Sequence, residues 1–312
     1  MEQVSAFKLP AGTQEAFQRD GAVCVRQLFS SEEVALLETG IEQNLRHPSP
    51  RAKVASRPDD PGWFFEDFCN WEDIDAYKAF IFESRVGHVA AQLMGSDTAR
   101  LYHDHLLVKE ANTRQRTPWH QDQPYYNVDG RQNCSMWMPI DPVARESTLE
   151  FVAGSHLGPW LMPRSFMDSQ AQWFPEGTLS DLPDIEADRS AWNILGWELN
   201  PGDVVFFHML TLHASGGVGA TDVGVRSRCV SLVMTLPMHH GSGKHPRLPG
   251  TRSGTRGRGQ DGTRAVPVAL VQALIRGASV RMTGYLADEE ANGRHRLCVI
   301  EERKSRAKPL IS

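Results

Sequence analysis

Among the twelve histidines of this 312-residue chain, His120 alone is followed two places later by an acid, Asp122, in the stretch TPWHQDQPYY. Side chains i and i+2 of an extended segment point to the same face. The His120 imidazole and the Asp122 carboxylate can therefore meet one ion while Gln121 points away. The third ligand is expected from His213, at the far end of PGDVVFFHMLTLHASGG. Two imidazoles and one carboxylate fill one face of an octahedral ion and leave the other positions open, the donor set of non-heme iron(II) centres.

Two arginines, Arg226 and Arg228, follow His213 and open the apolar run CVSLVMTL. A guanidinium is planar, always charged and matched to a carboxylate fork. Placed beside a metal, it suits a dicarboxylate whose other end reaches the ion. His103 and His105 form a rival cluster, since they share a face of an extended strand. His208 is five residues from His213, on the opposite face of an ideal strand, and is expected to be structural. Tyr125 and Tyr126 are candidates both for core packing and for a substrate wall.

These groups need a scaffold. Residues 21–29 (GAVCVRQLF) read as a short strand, and Ser30 and Glu33 have the spacing of a capping box at the start of a helix. Val34, Leu36, Leu37 and Ile41 give that helix one apolar face. Residues 47–62 are Pro-rich and read as a loop; 71–82 and 84–95 read as helices, with Gly95 as C-cap. Beyond residue 97 the chain turns to short β-rich runs, ARLYHDHLLVKE, QNCSMWMPID, STLEFVAGSH, NILGWELN, DVVFFHML and RCVSLVMTL, separated by turn signals. This organisation predicts one domain over 1–312. A mostly helical flank (1–97) packs on a β core (98–240), followed by a basic Gly-rich loop (241–264) and a C-terminal extension (265–312). Gly257, Gly259 and Gly262 match the dinucleotide fingerprint GxGxxG, but no strand precedes them and the match is rejected.

The net charge of −5 argues against a nucleic-acid binder. No apolar run reaches the roughly 18 residues of a membrane span, and the N-terminus lacks the pattern of a secretory signal. Five scattered cysteines without a CxxC pair point to small buried thiols in a reducing cytoplasm. The basic loop hints at an anionic small-molecule substrate; the oligomeric state is not legible.

From about residue 100 to 236 the chain resembles the phytanoyl-CoA dioxygenase family of iron(II)/2-oxoglutarate-dependent oxygenases. The resemblance is carried by TPWHQDQPYY, CSMWMPID, LEFVAGSH and PGDVVFFHMLTLHASGG, in that order, with FQRDGAVCVRQLFSSEEVALL similar to the family's opening segment. It implies a mainly β double-stranded β-helix, a cupin-like jelly roll with flanking N-terminal helices. It implies that His120, Asp122 and His213 bind iron and that Gln121 and Trp137 lie beside the co-substrate 2-oxoglutarate. It also suggests an arginine on the strand after the distal histidine. Strict alignment places Ser227 there, flanked by Arg226 and Arg228, of which Arg226 is favoured. The expected reaction consumes O2, hydroxylates an unactivated C–H bond of a small molecule and releases succinate and CO2. Desaturation or cyclisation by the same chemistry, a non-catalytic metal-binding cupin-like module and a zinc hydrolase or isomerase are the alternatives.

Overall fold

The structure, a computed structural model, describes residues 7–216 and 227–235 apart from 58, 111, 127, 167 and 168. Arg226, Cys298, the 241–264 segment and the 265–312 extension lie outside the described residues.

Among the described residues, four helices precede the β core: α1 (Thr13–Asp20), α2 (Ser31–Arg46), α3 (Asp75–Glu83) and α4 (Val86–Met94). The capping box at the start of α2 is complete. The Glu33 backbone N–H donates to Ser30 Oγ, and the Ser30 N–H donates to the Glu33 carboxylate at 2.8 Å. This satisfies two N–H groups that the helix itself leaves unpaired. Helix α4 closes on Gly95 in the left-handed conformation (φ 66°).

Eleven strands follow one another among the described residues: β1 (Ala22–Val25), β2 (Lys53–Val54), β3 (Phe64–Phe68), β4 (Arg100–Lys109), β5 (Thr117–His120), β6 (Asn133–Pro139), β7 (Leu149–Val152), β8 (Ile194–Gly196), β9 (Val204–Phe207), β10 (His213–Ser215) and β11 (Ser227–Thr235). They form a large sheet in the order β1-β9-β6-β11-β4-β3-β2 and a small sheet in the order β5-β10-β7-β8. Every pairing is antiparallel. From β4 onward the chain passes back and forth between the sheets, which gives the interleaved order of a double-stranded β-helix. The sheets stay open rather than closing into one barrel. The N-terminal flank is less helical than its sequence suggests. It adds β1 to one edge of the large sheet and β3 and β2 to the other.

Strand alternation sorts the large sheet's side chains between two cores. Met136, Met138, Val204, Phe206, Val230, Leu232 and Met234 pack with Leu37, Ile41, Tyr77, Phe80 and Leu93 from the helices. Trp137, Val205, Phe207 and Cys229 face the small sheet and pack with Phe151. Because both faces are covered, these strands read as nearly continuous apolar runs. Each fully buried Leu, Phe or Met contributes about 1.5–3 kcal/mol.

The run DVVFFHMLTLH is not one strand. It leaves the large sheet after Phe207, turns, and re-enters the small sheet at His213. His208 fixes the crossing. Its Nε2–H donates to the Arg131 carbonyl at 2.8 Å, and its Nδ1 accepts from the Leu210 N–H at 3.0 Å. Thr211 Oγ1 donates to the Gly21 carbonyl at 2.8 Å. Gly21 has a φ of 79°, and a Cβ there would run into Thr211 and His156, so the joint between α1 and β1 needs glycine.

Candidate active site

The register of the small sheet sets His120 of β5 directly opposite His213 of β10, with ring centroids 4.1 Å apart. Asp122 reaches them by a turn, not by strand alternation. Strand β5 ends at His120, and Asp122 adopts helical angles (φ −72°, ψ −44°) at the start of a 3-10 turn over Gln123–Tyr125. The N–H groups of Asp122 and Gln123 both donate to the Met209 carbonyl, at 2.8 and 3.0 Å. Gln123 Nε2 donates to the carbonyls of Val128 and Gly130, and its Oε1 accepts from Asn133 Nδ2 at 2.9 Å. The turn is thereby pinned to β6 and to the inter-sheet crossing.

The two histidines are held alike. His120 Nδ1 lies 2.8 Å from the Pro118 carbonyl and His213 Nδ1 2.9 Å from that of Thr211. A carbonyl can only accept, so each Nδ1 carries the proton and each Nε2 presents a lone pair. Both Nε2 atoms approach Asp122 Oδ1, at 3.4 and 3.5 Å. The other carboxylate oxygen, Oδ2, accepts from Ser135 Oγ at 3.1 Å. The three donor atoms lie within 4.8 Å of one another, the one such His/Cys/Asp/Glu group among the described residues. Burial raises the cost of ionising Asp122, but without a metal either imidazole can take a second proton at Nε2, and that charge and hydrogen bond outweigh burial and hold the carboxyl far below its usual range. Burial, then the neighbouring His213, lowers the pKa of His120. Near neutral pH the site therefore offers an ionised carboxylate beside a neutral His120, as a metal requires. Two nitrogen donors and one oxygen donor, each oriented by a second hydrogen bond, suit an iron(II) ion with open positions.

Other sequence candidates fall elsewhere. Gln121 is not available to a co-substrate. Its Nε2 donates to the carbonyls of Pro159 and Leu210, and its Oε1 accepts from the Leu161 N–H at 2.8 Å, so it ties the segment after residue 158 to the crossing. Arg228 is also a correction. On β11 it shares the face of Val230 and Leu232, toward the helices, and its guanidinium is engaged by Asp141 (2.8 Å), Glu42 (2.9 Å) and Glu38 (2.9 Å). Trp137 does face the small sheet, buried with Phe207 and Cys229. His103 and His105 do not converge, their rings being 6.5 Å apart; His105 stacks on Phe68 and pairs with Glu66 at 3.0 Å. Tyr125 bonds the backbone of Arg164 through its hydroxyl, as donor at 2.7 Å and acceptor at 2.8 Å, and holds its segment near His120. The Phe166 ring then stands edge-on to His120 at 4.8 Å with 42% of the residue exposed. Tyr126 packs on His103 and Tyr102. Sequence reading missed Ser135, Gln123, Asn133 and Phe166. For Ser135 the signal was present, since it lies two residues before Trp137 on the same strand face.

A double-stranded β-helix carrying a buried His-Asp-His cluster defines the class of iron(II)/2-oxoglutarate-dependent oxygenases. The sequence matches the profile described as phytanoyl-CoA dioxygenase over residues 17–222. The chain belongs to that family of dioxygenases, and its His-Asp-His cluster could hold a metal ion. It is 24% identical over 217 residues to the ectoine dioxygenase of Stutzerimonas stutzeri (strain A1501), across 65% of this chain and 70% of the relative. Its fold is similar to that of the α-ketoglutarate-dependent carbocyclase SnoK from nogalamycin biosynthesis, with a TM-score of 0.59 and 20% identity over 73% of this chain and 84% of that one. EctD from S. alaskensis with bound Fe gives a TM-score of 0.56 and 20% identity over 73% and 76% of the two chains.

Proposed function

We propose that His120, Asp122 and His213 hold the iron and that the enzyme hydroxylates a C–H bond of a small molecule. The observation that carries this reading is the convergence of both Nε2 atoms on Asp122 Oδ1. With iron and 2-oxoglutarate bound, such a centre couples decarboxylation of the oxo acid to succinate and CO2 with transfer of an oxygen atom from O2 to the substrate.

The chain's own residues supply binding and orientation. The Pro118 and Thr211 carbonyls fix the imidazole tautomers. Ser135 holds Asp122 Oδ2 and leaves Oδ1 toward the ion. Phe151 and Phe207 flank His213 with ring centroids at 6.0 and 4.7 Å, an apolar wall that keeps water from one side of the ion. Trp137 walls the 2-oxoglutarate side. Phe166, edge-on to His120 and half in solvent, forms the entrance through which substrate meets the metal.

The substrate is read as a small, anionic molecule, with no nucleic acid or membrane partner. Among the described residues no helix is long and apolar enough to cross a membrane, and Cys24, Cys69, Cys134 and Cys229 are not joined in disulfides. The reduced cysteines suit a reducing compartment and support action in the cytoplasm. The test is release of succinate by protein supplied with iron(II), 2-oxoglutarate and O2. His120→Ala, Asp122→Ala and His213→Ala should each abolish it; undiminished release in all three overturns the assignment.

A further inference from the structure

Lys109 is a cation turned inward. It ends β4 directly opposite Ser227 of β11. Ser227 is the position where the sequence resemblance calls for an arginine and the chain has none. Lys109 Nζ crosses to the small sheet. It donates to Ser215 Oγ at 2.8 Å, to the Gly216 carbonyl at 3.2 Å and to Thr117 Oγ1 at 3.4 Å, and it lies 4.7 Å from the centre of the Phe64 ring. No carboxylate of the described residues lies within ion-pair distance of it. Burial lowers its pKa to about 8, as expected for an ammonium out of water without a counter-ion.

Its neighbours place it relative to the metal cluster. Ser215 is two residues along β10 from His213, about 7 Å at the usual strand rise, and pairs across the sheet with Thr117 of β5. The Ser215 and Thr117 hydroxyls accept from Lys109 and keep their own protons to donate. A cation with two hydroxyl donors is a seat for a carboxylate. The strand face between this seat and the metal cluster carries Leu107, Trp137 and Cys229, together with Ser231 and the His105–Glu66 pair. A five-carbon dicarboxylate chelating the metal at one end spans that interval with the other.

We propose that Lys109, with Ser215 and Thr117, binds the distal carboxylate of 2-oxoglutarate in place of an arginine on β11. The proposal rests on the reading of His120, Asp122 and His213 as the iron site.

The test compares two oxo acids on the anaerobic iron(II) protein, full chain, by visible absorption and tryptophan fluorescence. 2-Oxobutyrate has the same chelating head but no distal carboxylate. The native protein should bind 2-oxoglutarate about 100-fold more tightly than 2-oxobutyrate, the worth of a charge-assisted carboxylate contact. Lys109→Met should remove most of that preference and leave iron content and 2-oxobutyrate affinity unchanged; Lys109→Arg should retain it. If the Met variant does not fold, Lys109→Gln, which keeps a donor toward Ser215, serves with the same expectation. Full discrimination in folded Lys109→Met or Lys109→Gln, or its loss confined to Arg226→Met, overturns the proposal. Failure of the native protein to bind iron, or of both oxo acids to bind the loaded protein, instead overturns the underlying reading of the metal site.

Discussion

His120 and His213 face each other across one antiparallel strand pair, and each is oriented by the carbonyl two residues before it in the chain. The pairing register of β5 and β10 thus sets the geometry of the His-Asp-His cluster, with Asp122 added by the turn that follows. Ser135 is the one side chain that bridges this turn to the large sheet at the carboxylate itself. Ser135→Ala should weaken iron binding by about 10-fold without unfolding the protein, the usual effect of losing an outer-shell partner. Equilibrium dialysis with iron(II) under argon checks it.

Arg228 should prove to be a structural residue. Its removal strands Asp141, which its guanidinium and backbone N–H both engage. Arg228→Met should lower unfolding stability by roughly 2 kcal/mol while leaving the 2-oxoglutarate dissociation constant unchanged. Urea denaturation and a binding titration on the same preparation measure both quantities.

Gln121 should behave likewise. Gln121→Leu leaves the Leu161 N–H and the Leu210 carbonyl without their partner, at a cost of about 1–3 kcal/mol. The effect should appear as faster hydrogen exchange at residues 159–162, not as a changed affinity for 2-oxoglutarate.

His208 makes the protein sensitive to acid. Its folded pKa is lowered to about 4, chiefly by burial. Between that value and the ordinary pKa near 6.5, the unfolded chain binds a proton that the folded chain does not. The stabilisation is therefore complete above the unfolded pKa and is lost as pH falls. From pH 7 to pH 5 this one group should remove about 2 kcal/mol. His156, lowered by burial in the same way, adds in the same direction. Urea midpoints at the two pH values test this, and a midpoint that rises on acidification contradicts it.

The β core and the convergence of His120, Asp122 and His213 were legible because they rest on local signals: alternating apolar runs, turn residues and a His-x-Asp pair. The route by which Asp122 joins His120 was not, since it depends on hydrogen bonds to Met209, in a distant segment. Arg228 reads as a candidate because nothing local gives the phase of β11; the helix-side packing of Val230 and Leu232 sets it. Lys109 reads in VKE as an ordinary strand-end lysine. Its partner Ser215 is 106 residues away, beyond the reach of any local pattern. The strand β3, FFEDF, is short and follows a Pro-rich loop, so its place beside β4 appears only when the sheet is assembled.

The most direct measurement is an anaerobic titration of the metal-free chain with iron(II), followed by 2-oxoglutarate. One iron per chain should bind, and the oxo acid should then produce a visible charge-transfer absorption that is absent from Asp122→Ala and His213→Ala. Equal iron uptake by native protein and both variants, or a bound iron whose spectrum does not respond to 2-oxoglutarate, would contradict the site described above.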